Sequence, residues 1–247
     1  MTRATLRLTA GFALLVSCSA WRPLAFAYRP FDTTDAAVAE PKEIEIELEP
    51  VGYLQDGTDR TVIAPAIVFN YGVAESWELV VEGQGEHPVT GESRSSRVVG
   101  NGVFLKGVLR DGVLQEKRGI SIATEFGALL PGINGDSGVG ASMAGIGSLR
   151  TNGLTIHLNA NVSVTRQGNP DLFLGTIVEG PIDWPVRPVA EAFYEREFSV
   201  SESASMLVGV IWQARSNRSF DFGLRSATVN NRHVSEIRAG LTYGFSA

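Results

Sequence analysis

From residue 43 onward, apolar and polar positions alternate with a period of two. The run Glu43-Ile44-Glu45-Ile46-Glu47-Leu48 alternates acids with aliphatics. A helix would scatter these around its surface, whereas a strand puts the carboxylates on one face and the aliphatics on the other. The clearest case is 154–165: Leu154, Ile156, Leu158, Ala160, Val162 and Val164 share one face, and Thr155, His157, Asn159, Asn161, Ser163 and Thr165 share the other. That run is longer than the roughly 5–6 residues of a soluble strand. It approaches the length a tilted strand needs to cross a bilayer. The last segment repeats the pattern, with Ile237, Ala239, Leu241, Tyr243 and Phe245 on one face.

The same criterion predicts twelve strands, near 43–54, 61–71, 75–84, 97–109, 117–129, 139–150, 153–166, 171–180, 187–198, 204–214, 218–227 and 233–245. Turn-formers separate them, among them Gln55-Asp56-Gly57, Thr151-Asn152-Gly153, Gln167-Gly168-Asn169-Pro170 and Asn230-Asn231. The connectors alternate in length: 85–96 and 130–138 are long, whereas those at Thr151-Asn152 and Ser216 are short, and 110–116 is a longer exception. Even strand number with long loops at one end and short turns at the other marks an outer-membrane barrel.

A soluble sandwich would turn its aliphatic faces into a common core; a membrane barrel turns them to lipid and lines its lumen with the polar faces. Three features favour the barrel. The polar faces are rich in Gly and small residues, as a crowded interior needs. Tyr71, Trp77, Trp184, Tyr243 and Phe245 sit near segment ends, where an interfacial girdle belongs. The chain also finishes close to an aromatic. The expected fold class is therefore all-β, an antiparallel up-and-down transmembrane β-barrel of about twelve strands. It occupies 43–247.

The N-terminus reads differently. Arg3 and Arg7 precede an apolar run, Leu8 to Val16, that is too short to span a bilayer, and Ala25-Phe26-Ala27 offers a small-x-small cleavage pattern. Residues 1–27 are thus an expected signal peptide, and 28–42, polar and aperiodic with Pro30 and Pro41, a periplasmic lead-in. Leu15-Val16-Ser17-Cys18 offers a competing lipidation signal at the single cysteine. One cysteine excludes a disulfide framework. The formal charge of −6 becomes more negative once Arg3, Arg7 and Arg22 leave with the leader, which argues against nucleic acid as a partner.

The closing strand Leu241-Thr242-Tyr243-Gly244-Phe245 looks like the signal recognised by the barrel assembly machinery, although two residues follow Phe245. With its acidic first strand, its Gly-interrupted strands carrying a Glu on the inner face and no plug domain, the chain from about residue 43 resembles the transporter-like outer-membrane proteins of the MetA-pathway phenol-degradation family. That resemblance implies a barrel in a Gram-negative outer membrane that admits small hydrophobic or aromatic compounds. It supplies no defined substrate and no catalytic residues.

Alternation assigns the lumen face: Glu45, Glu47, Glu78, Glu82, Lys106, Arg110, Glu125, His157, Asn159, Glu179, Glu191, Glu195, Arg225, Glu236 and Arg238. A Lys or Arg turned to lipid near the midplane would cost about 2–4 kcal/mol. The carboxylate excess suits a pore or cavity biased toward cations; equally, acids and bases could pair across the lumen and fill it. A hydrolase reading finds no nucleophile set in the spacing. A barrel phospholipase resembles this chain in strand number but needs a Ser two residues after the His, where position 159 is Asn; Ser163 alone shares that face. No His or acidic motif of metal-binding type occurs, and Gly132 to Gly147 is no phosphate loop. The expectation is a passive channel or transporter, with a sealed structural or binding barrel as the first alternative, a barrel hydrolase as the second, and no cofactor. Its expected partners are outer-membrane lipids and lipopolysaccharide, the assembly machinery and an unidentified small-molecule cargo.

Overall fold

Glu43 pairs with Ser246, so the first and last strands meet and the sheet closes on itself. The computed structural model describes residues 29–91 and 95–246; the expected leader and Cys18 lie outside them. Its strands are β1 (Glu43–Glu49), β2 (Gly52–Asp56), β3 (Asp59–Ala74), β4 (Trp77–Pro88), β5 (Arg97–Arg110), β6 (Ser121–Leu129), β7 (Gly140–Thr151), β8 (Leu154–Val164), β9 (Pro170–Glu179), β10 (Val186–Glu197), β11 (Ser201–Arg215), β12 (Arg218–Val229) and β13 (Arg232–Ser246). Every pairing is antiparallel and, from β3 to β13, joins neighbours in sequence. β1 and β2 both lie between β13 and β3. They form one wall position interrupted at Pro50, which has no N–H to give the ladder. The thirteen segments thus make a closed twelve-stranded barrel.

Alternation sorts the two faces. On β11, Met206, Val208, Val210 and Trp212 are exposed, while Ser203, Ser205, Leu207 and Ile211 are buried. β8 exposes Leu154, Leu158, Val162 and Val164 and buries Thr155, His157 and Asn159. An aliphatic belt outside and charged groups inside invert a soluble core. Aromatics gather at the rim that carries the ends of β1 and β13: Trp212 stacks near Phe220 (5.5 Å), Tyr243 near Phe245 (5.6 Å), and Arg218 lies over Tyr243 (5.0 Å).

The structure corrects three sequence expectations. The first strand is two segments. The fifth expected strand, β6 in the structure, begins at Ser121 rather than 117, because Val113–Gln115 forms a 3-10 turn, and the partly buried Leu114 packs against Ala36, Ala123, Ala144 and Ile146. Arg110, assigned to the lumen, is exposed at the rim, since a bulge between Val108 and Arg110 shifts the alternation by one.

Candidate functional site: the lumen and its inner collar

Residues 29–42, which read as a polar lead-in, lie inside the barrel. They run around its inner wall and meet the strands in circuit order. Arg29 pairs with Glu49 (2.6 Å) and Asp221 (3.6 Å). The carbonyl of Pro30 and the carboxylate of Asp32 both accept from Arg238 at 2.9 Å. Further round, the Thr33 amide and hydroxyl donate to Glu191 on β10 (2.8 and 2.7 Å), and the Thr34 amide donates to Asn159 on β8 (3.2 Å). The Ala36 amide donates to Ser148 Oγ on β7 (3.0 Å), Asp35 pairs with Lys106 on β5 (3.5 Å), and the Ala39 amide donates to Glu78 on β4 (2.6 Å). Lys42 N–H then bonds the Gly72 carbonyl on β3 (2.8 Å) and the chain enters β1.

This collar has no strand partner, so its backbone donors need acceptors from elsewhere. Wall side chains supply them, which accounts for several of the lumen carboxylates. The wall is shaped to match. A β-carbon at Gly72 would strike the Glu40 carbonyl, and one at Gly175 would strike the Thr33 methyl. Burial alone would raise the Asp32 carboxyl; the positive charges of Arg238, Arg225 and Arg29 outweigh it and hold the group below the usual carboxylate range.

Ser148, His157 and Glu179 form a buried relay. Ser148 Oγ lies 2.7 Å from His157 Nδ1, and His157 Nε2 lies 3.1 Å from Glu179, which also pairs with Arg187 (3.2 Å). A carboxylate only accepts, so Nε2–H donates to Glu179, and Nδ1 of the neutral ring then accepts the Ser148 proton. The residue types are those of a hydrolytic triad, but all three are buried, none faces the cavity described next, and Ser148 Oγ is occupied by the collar amide. The relay anchors the collar.

Beyond the collar the lumen opens into a cavity of about 670 Å³. Phe31 to Thr34 and Ala37 to Ala39 form its floor, and Asp136, Thr165 to Gln167 and Ser201 lie near its mouth. Of the lumen residues assigned from sequence, Glu45, Glu47, Glu78, Glu82, Lys106, Glu125, Asn159, Glu195 and Arg225 line this cavity. His157, Glu179, Glu191, Glu236 and Arg238 are buried in the wall or under the collar, apart from it. The cavity is acidic, and its bases are engaged. Lys106 serves Glu78 and Asp35, Arg225 serves Glu236 (2.8 Å), and Arg166 donates to the carbonyls of Leu130 and Asn101. Glu82, Glu125 and Glu195 make no hydrogen bond or ion pair among the described residues. No group of three His, Cys, Asp or Glu among those residues is arranged to hold a metal ion.

Sequence reasoning missed the collar, Ser148 and Arg187, and the aromatic pair Phe173 and Phe193, whose rings lie 5.0 Å apart on the cavity wall. The signal for Ser148 was available only across strands, since it sits directly opposite His157 in the β7–β8 ladder. Glycines at inward positions such as Gly72 and Gly175 were the visible trace of the collar.

Among solved structures, the chain is similar in fold to outer-membrane channels. An outer membrane channel from Pseudomonas putida F1 aligns with a TM-score of 0.58 at 9% identity, over 85% of this chain and 97% of that one. The KdgM porin aligns with a TM-score of 0.55 at 13% identity, over 81% and 99%, and the KdgM porin in complex with disordered oligogalacturonate with 0.54 at 12%, over 81% and 99%. No family model matches the chain, and no curated protein matches it. The likeness is one of fold: a closed antiparallel β-barrel.

Proposed function

We propose that the chain is a passive outer-membrane channel for small molecules, exported by its N-terminal leader and narrowed by its own collar. The observation that carries this reading is a lipid-compatible barrel enclosing a polar cavity that opens near one end. Twelve strands fall between barrels filled by side chains and those with open channels, so the collar decides how wide the passage is. Cargo must cross a carboxylate-rich wall, which favours cations over anions. The family resemblance adds small aromatic compounds as candidates. A sealed binding barrel is the second reading, and the wall-to-collar bonds favour it.

The test is planar-bilayer conductance of the mature chain under a salt gradient. The expected result is a small, steady, cation-biased current whose reversal potential moves toward zero in Glu82→Gln/Glu125→Gln. Correct insertion with no current, both with the collar and without it, would leave the sealed barrel. The membrane assignment has its own check at Val208, exposed in the middle of β11. Val208→Arg should cost about 2–4 kcal/mol when unfolding is followed in lipid vesicles; an unchanged midpoint would argue against lipid at that face.

A further inference from the structure

β9 and β10 set two acids side by side where the lumen widens. Asp171 is the direct cross-strand partner of Glu197, and Phe173 that of Glu195. Like charges placed opposite one another weaken a ladder. Here no base among the described residues pairs with either acid. Glu197 accepts only from neutral donors, the Thr165 hydroxyl (2.9 Å) and the Asn169 amide (2.8 Å). Asp171 Oδ2 receives a long bond from Ser163 (3.4 Å), while its Oδ1 is buried without any hydrogen-bond donor. Glu195 makes no hydrogen bond or ion pair among the described residues. The nearest base, Arg225, bonds Glu236 and approaches Asp32, leaving its guanidinium 5.9 Å from the centre of the Phe193 ring. That contact covers the buried Phe193 ring, which packs on Phe173, and Phe173 is the more open of the two. All five wall residues line the same cavity.

We infer that this corner of the cavity is a binding site for organic ammonium compounds that carry an aromatic or alkyl body. The orphaned carboxylate oxygen and the opposed acids call for positive charge with donor hydrogens. Phe173, backed by Phe193, supplies an apolar, π-faced surface that a hydrated inorganic ion would not use. The carboxylates are spread along two strands rather than converging on one point, as a metal ion would need. A volume of about 670 Å³ falls within the usual range for small-molecule sites. Both neutral hydrocarbons and polyanions leave these acids unanswered. The inference rests on the lumen being the working site, and it names the class of molecule that the site selects.

The test is isothermal titration of the full mature chain, refolded in a non-ionic maltoside because zwitterionic detergents carry competing quaternary ammonium groups. The probes are phenethylammonium, the neutral 2-phenylethanol and the anionic phenylacetate. Phenethylammonium should bind saturably at one site, at least tenfold more tightly than either analogue. Asp171→Asn/Glu195→Gln should weaken it tenfold or more, and Phe173→Leu should weaken phenethylammonium more than methylammonium. Equal binding of the alcohol, or affinity unchanged in Asp171→Asn/Glu195→Gln, would overturn the proposal. So would displacement by potassium at matched concentration. Because binding is read without current, a barrel that binds but does not conduct removes the channel reading alone, and one that conducts without binding removes this inference alone.

Discussion

Deleting residues 30–40 should raise single-channel conductance several-fold while the barrel still inserts and resists unfolding as a β-sheet. The collar is bonded to the wall from β13 round to β3, so its removal widens the lumen over that whole circuit. It also frees Glu191 and Glu78 from collar donors, but it removes Asp32, Asp35 and Glu40 and releases Arg238 and Lys106, so the cation bias should weaken. The wall ladders do not run through the collar, so strand content by circular dichroism should hold. An unchanged conductance in a correctly inserted deletion variant would show that the constriction lies elsewhere. A milder version uses the geometry at Gly175, where the Thr33 side chain sits against the wall. Thr33→Cys/Gly175→Cys, in a mature chain otherwise free of cysteine by the expected processing, should lock the collar on oxidation and hold the current at its low level until reductant is added.

The second large effect is expected at Arg238. Its guanidinium bonds the Pro30 carbonyl, Asp32 and Glu236, each at 2.9 Å, and the side chain is only 10% exposed. Arg238→Met keeps the bulk but leaves Asp32 and Glu236 to share Arg225 in a poorly hydrated wall. Breaking a buried pair by removing one partner costs about 3–5 kcal/mol, which should appear as a lowered urea midpoint for the refolded chain. A loss below about 1 kcal/mol would mean that water reaches the site freely and the pair is screened. The same contacts set the pH response of the collar. Asp32 has a depressed folded-state value, so its contribution is present above the unfolded value, about 3.9 for Asp. It disappears only as pH falls through the lower folded value. Docking at Asp32 should therefore persist through mildly acidic conditions and release only in strong acid.

Much of this molecule could be read from local pattern. Alternation along 154–165 placed His157 and Asn159 inside and Leu158 and Val162 outside, because side-chain direction in a strand depends only on the parity of the position. The same parity put Glu45, Glu78 and Lys106 on the inner face and predicted strand positions within a few residues of β3 to β13. It failed at Arg110, where a bulge inserts one residue and inverts the count. It also failed at 117–120, where Glu116 and Gly119, both at positive φ, turn the chain before β6 can begin.

What parity cannot reach is contact between residues far apart in the chain. Nothing in the stretch 29–42 has a period, so nothing in it announces a place in the lumen. It is held by partners as distant as 208 residues along the chain, in the bond from Arg238 to Pro30. Likewise the Ser148–His157–Glu179 relay and the Asp171–Glu197 opposition exist only because strand register sets Ser148 opposite His157, Glu179 diagonal to it, and Asp171 opposite Glu197. Periodicity determined a barrel with an acidic interior, since burial on alternate positions is a local requirement of every strand. Closure and register, which are set by the whole sheet at once, decided which lumen acids hold the collar and which remain facing the cavity.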